Sequence, residues 1–180
     1  METKEFDRFV ASQQESDVDA NLDRAQIRDE WLADLDSLHK QIAGFLQDYI
    51  NKGSISYGLT KIQVTEPDLG TYLANRMDIT IGRKDISLIP VGTLLVACKG
   101  RVDAKGSEGR AQMLLVNANV RTAADLVQVR VNVKDSSPSA PTELRPVLWS
   151  WKILTNTVQK KFVDLDKESF FALLMEISGA

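Results

Sequence analysis

The sequence predicts an α+β fold: a long N-terminal amphipathic helix packed on a curved, mainly antiparallel sheet of about seven strands, followed by a short C-terminal helix. Three observations predict it. Trp31, Leu35, Leu38, Ile42, Phe45 and Tyr49 recur at intervals of four, three, four, three and four, the spacing of one helical face. From Ser54 onward the apolar residues alternate with polar ones, the period of a half-buried strand. Near the C-terminus Asp166, followed by Glu168 and by Phe170, Leu174 and Ile177 at helical spacing, reads as a cap and an inward face.

The main helix is expected to begin at Asn21, whose side chain can accept from free first-turn amides, and to end near Lys52-Gly53. Leu32 and Leu46 flank the seam and widen it beyond a strict coiled-coil contact, which favours packing across a sheet. Residues 1–20 are polar and acidic and are expected to form an arm or a short helix around Phe6, Phe9 and Val10, ahead of a single domain over residues 21–180.

In the first strand Ile55, Tyr57 and Leu59 hold one parity and Ile62 and Val64 the other, so a β-bulge is expected between Gly58 and Lys61. A turn at Glu66-Pro67-Asp68 leads to a strand carrying Met77, Ile79 and Ile81. The next strand, with Ile86 and Leu88, should stop at Pro90, which has no amide to donate. Leu94 to Val102 reads as a central strand with apolar residues on both parities, and Lys105 to Gly109 as a hairpin connection into Arg110–Asn117. Val127, Val129, Val131 and Val133 alternate cleanly with polar residues and predict a half-exposed strand. The proline- and serine-rich stretch from Asp135 to Pro146 is a loop. Val147 to Leu154 and Lys160 to Asp164 complete the strands.

The 180 residues are 43% hydrophobic, enough for a core without disulfides or metals. The net charge of −3 carries no basic stripe, so no nucleic-acid partner is expected. The N-terminus lacks a signal-peptide core and no stretch approaches a bilayer span, so no membrane partner is expected either. The lone thiol, Cys98, lies in an apolar run and reads as buried and inert rather than nucleophilic. Together these features suggest a cytoplasmic protein of bacterial character.

Chemistry is sparse. The one histidine, His39, sits beside the helical seam as a surface or boundary residue and has no second ligand with which to hold zinc. No serine occupies a nucleophile elbow and no glycine pattern cradles phosphate, so no cofactor is expected and an enzyme is the less favoured class. Two pairs of residues are candidates for binding. Arg101 and Asp103, two apart on a strand, share a face with Lys99 and could form a charged patch for a partner or an anionic ligand. Trp149 and Trp151 also share a face; exposed, they would suit a protein interface or a flat ligand, and buried, they would be core. The expected function is a non-enzymatic protein-interaction module of accessory or immunity type, binding one protein partner or self-associating. The alternative is a small-molecule-binding domain with an apolar pocket between sheet and helix.

Overall fold

The structure, a computed structural model, describes residues 3–93, 98–122, 125, 147–155 and 161–179. Helix α1 spans Thr3–Asn51. Strands follow as β1 (Ile55–Glu66), β2 (Gly70–Ile81), β3 (Lys84–Gly92), β4 (Gly100–Lys105), β5 (Arg110–Asn117), β6 (Trp149–Leu154) and β7 (Phe162–Asp164). Helix α2, Lys167–Ser178, ends the fold. The seven strands form one antiparallel sheet, laid out in chain order and not closed into a barrel. The strand expected over Val127–Val133, the loop from Asp135 to Pro146 and the apolar run 94–97 lie outside the described residues.

The helical stripe packs as a broad face. Trp31, Leu35, Leu38, Ile42 and Leu46 are buried against Met77, Ile79, Leu88, Val102 and Met113 of the sheet. Phe45 and Tyr49, at the far end of the stripe, meet the rings of Phe170 and Phe171 on α2. The helix does not begin at Asn21. It runs through that position without a break, because nothing from Thr3 to Asn51 except Gly44 disfavours helix strongly and no proline interrupts it. At 1.5 Å per residue it is about 74 Å long.

Asp166 caps α2 as expected, accepting from the Ser169 amide at 2.8 Å, while the Ser169 hydroxyl closes the box on the Asp166 amide. Gly179 ends the helix in the left-handed conformation.

The parity change in the first hairpin is real, but no bulge produces it. β1 pairs with β2 in unbroken register from Ile55↔Ile81 to Glu66↔Gly70. Both strands exchange their buried parity together: Ile55, Met77 and Ile79 are inward at one end, and Val64, Tyr72 and Ala74 at the other. The exchange falls where β3 stops pairing, since β2 meets β3 only over Met77–Ile81. Beyond Met77 the hairpin is a two-stranded ribbon, which twists more than a strand held on both sides and so turns its other face to the core. β3 likewise continues past Pro90, which sits next to a register shift and where β2 has already left, the setting in which a missing donor is tolerated.

A second, smaller cluster lies apart from this core: Cys98, Leu114, Val116, Val120 and Phe162. Beside it Lys152 is almost wholly buried, its ammonium donating to the Ala118 carbonyl at 2.8 Å and pairing with Asp164 at 2.9 Å.

Candidate functional site

The four residues singled out in the sequence separate into three environments. Arg101 and Asp103 stand together on the sheet face turned away from Val102 and Ala104, half-buried. The guanidinium donates through Nε at 2.6 Å and through Nη2 at 2.8 Å, a bidentate pair. With Arg110, Gln112, Leu154 and Thr155 they line a depression of about 280 Å³. Arg110 and Thr155 are themselves engaged. The basic charge of Arg101 is thus directed first at its own neighbour.

Lys99 does not join this patch. Its ammonium reaches back to α1, 2.8 Å from Asp34 and 3.5 Å from Glu30. Burial works against that cation, but the hydrogen bond and charge of Asp34 outweigh it and raise its pKa. The expected row breaks at Gly100, where the Trp31 ring lies so close to the backbone that no side chain would fit.

The tryptophan pair divides. Trp151 is buried, its ring 6.2 Å from that of Trp31, and pairs across the sheet with Leu115. Trp149, one step along β6, pairs with Asn117 and is 44% exposed. Trp151 is core, and Trp149 with the neighbouring Val147 and Leu148 presents apolar surface.

Two polar side chains, His39 and Glu66, are buried, and a third, Asp78, is partly buried. His39 is 3% exposed rather than at a boundary, and neither ring nitrogen has a hydrogen-bond partner. It lies seven residues from both Leu32 and Leu46, on the flank that widens the stripe, and that spacing was the available signal. Burial pushes its pKa below the usual imidazole value, with Asp36 opposing weakly. Glu66, at the tip of the ribbon, accepts from the Tyr72 hydroxyl and from the Thr93 amide and hydroxyl, both at 2.8 Å. Burial, together with this carboxylate, raises the Tyr72 pKa. Asp78 accepts from Ser87 at 2.7 Å and from Arg76 at 2.9 and 3.0 Å; burial alone would raise its pKa, but these donors bring it down. As read from the sequence, the Cys98 thiol is buried, and burial pushes it up to about 11. Among the described residues no group of three or more His, Cys, Asp or Glu is placed to hold a metal ion, and no helix is long and apolar enough to cross a membrane.

Exposed apolar side chains also lie along α1 itself. The helix packs on the sheet only from Trp31 onward. Upstream, Phe6, Phe9, Val10, Val18, Leu22 and Ile27 are all exposed. Phe6 and Phe9 meet each other, ring centroids 6.4 Å apart, and Val18, Leu22 and Ala25 form a second row at helical spacing. Asp7, Asp17, Asp19, Asp23, Arg8, Arg24 and Arg28 surround them. This is the part of the molecule that the sheet leaves unused. No protein-family model matches the chain, and no curated protein and no solved structure is similar to it.

Proposed function

We propose that the chain is a non-enzymatic protein-interaction module of accessory type, with the first half of α1 as its binding element. One observation carries this reading: over residues 6–27 the helix displays large apolar side chains with no tertiary cover among the described residues. A helix of that length gains little stability from propensity alone, and apolar rows on a polar rod are what a partner groove or a partner helix buries. Arg101 and Asp103, already paired, and the exposed Trp149 are secondary contact points in this reading. The lone, unpaired thiol suits a cytoplasmic setting.

The test is affinity capture with the intact chain, identification of the recovered protein, and reconstitution from purified components. Phe9→Asp combined with Leu22→Asp should abolish the reconstituted complex while leaving thermal unfolding unchanged. A chain that forms no complex, or one indifferent to both substitutions, overturns the proposal.

The small-molecule alternative has one supporting feature, an apolar groove between Leu46, Tyr49, Ile55, Ile81, Phe171 and Leu174. At about 190 Å³ it is small beside the roughly 300 Å³ at which ligand pockets begin, so the interaction reading is preferred.

A further inference from the structure

We infer that β1 is a self-pairing edge, through which two copies of this chain join their sheets about a two-fold axis centred on Gly58. This stands independently of the role proposed for α1. β1 is twelve residues long, pairs with β2 along one edge, and pairs with no other strand among the described residues. Six consecutive residues, Ser56 to Lys61, are exposed, so neither helix covers that edge. Such an edge presents a row of unpaired amides and carbonyls, and natural sheets protect it with charge, proline or a bulge. Here those devices are reduced to one: the register is unbroken, there is no proline, and Lys61 is the one charged side chain from Ile55 to Thr65.

The apolar layer also stops one strand short. Met77 and Ile79 are fully buried, whereas the residues opposite them, Leu59 and Tyr57, are 47% and 43% exposed on the same face. An extended strand laid against β1 would complete both the ladder and that layer. The sequence identifies which strand fits. Antiparallel pairing of β1 with its own copy about Gly58 sets Tyr57 opposite Leu59 twice, Ser56 opposite Thr60 twice, and Lys61 opposite Ile55. Every pair is apolar with apolar or hydroxyl with hydroxyl except the outermost, and no like charges meet. A two-fold axis perpendicular to the sheet relates the two strands, keeps both helical layers on the same side, and makes the interface isologous.

Gly58 makes the register testable. Its backbone has ordinary φ, and nothing lies within 4 Å of where a side-chain carbon would go, so Gly58→Cys is accommodated. Across an antiparallel pair the two Cα atoms would stand about 4.5–5.5 Å apart, inside the disulfide range. The full-length chain should elute with twice its 20.0 kDa mass at tens of micromolar by light scattering. Gly58→Cys should cross-link to itself under mild oxidation, whereas Ser56→Cys, facing Thr60 of the other copy, should not. Tyr57→Lys with Leu59→Lys opposes four like charges across the axis and should give a monomer with an unchanged circular dichroism spectrum. A wild-type chain still monomeric at about 200 μM, a concentration at which a dimer with a micromolar Kd would be nearly complete, overturns the inference. So does a dimer that survives the double lysine variant and yields no Gly58→Cys cross-link, which would place the contact elsewhere, α1 included.

Discussion

The six-membered ring of Trp31 fills the space in which a side chain at Gly100 would lie. This contact seats α1 on the sheet at the start of β4, and Trp151 closes over the same indole from β6. Gly100→Ala forces one of two tightly packed elements to move and should cost about 1–3 kcal/mol, as overpacked cores do. Trp31→Ala removes the anchor and should cost about 3–5 kcal/mol. Urea unfolding of the two variants measures both, and equal stability of Gly100→Ala and wild type would show that α1 is seated differently.

The single histidine gives the chain an acid-sensitive point. Burial lowers the folded pKa of His39 below its unfolded value, so the unfolded state binds the proton more readily. Its contribution to stability is therefore complete above about pH 6.5 and is lost as pH falls from there through the folded pKa. His39→Leu should flatten the stability profile between pH 7.5 and 5, measured by urea unfolding at each pH. Because no other histidine is present, the imidazole proton resonance of wild type reports the folded pKa directly.

The ribbon tip is held to the end of β3 by Glu66. Tyr72→Phe removes one donor and should destabilise by about 1–3 kcal/mol, the usual cost of leaving a buried acceptor short of a partner. Gly92→Ala should be worse. Gly92 has φ of +132°, and an added Cβ would sit 2.5 Å from the Glu66 carboxyl carbon. Thermal unfolding ranks the two, and the reverse order would remove this account of the clamp.

Deleting residues 2–24 should leave the unfolding free energy within about 0.5 kcal/mol of wild type, because no residue described in that part of α1 belongs to the core. The far-ultraviolet helical signal should fall in proportion to the helix removed. A large loss of stability would mean that the first half of the helix packs on its own molecule.

What the sequence revealed was local. The seam from Trp31, the Asp166 cap and the connections at Glu66–Asp68 and Lys105–Gly109 each depend on residues a few positions apart, and all appear as expected. What it hid depends on distant partners. Lys99 alternates with Arg101 and Asp103 on paper, yet two carboxylates on α1 draw it the other way. Trp149 and Trp151 have the same parity and differ only because α1 passes over one of them. The parity change in β1 was visible, but its cause was not: a bulge and a freely twisting ribbon leave the same pattern in one strand, and only the partner register separates them.

The meander has a kinetic consequence. The strands pair in chain order, so the ladder can grow by adding one strand at a time to its predecessor. Topologies of this kind search less conformational space before a productive contact forms, and they fold faster than sheets whose neighbours are far apart in the chain. The late steps are then those that bridge the length of the polypeptide: Trp31 reaching β6, and Phe45 and Tyr49 meeting Phe170 and Phe171 of α2.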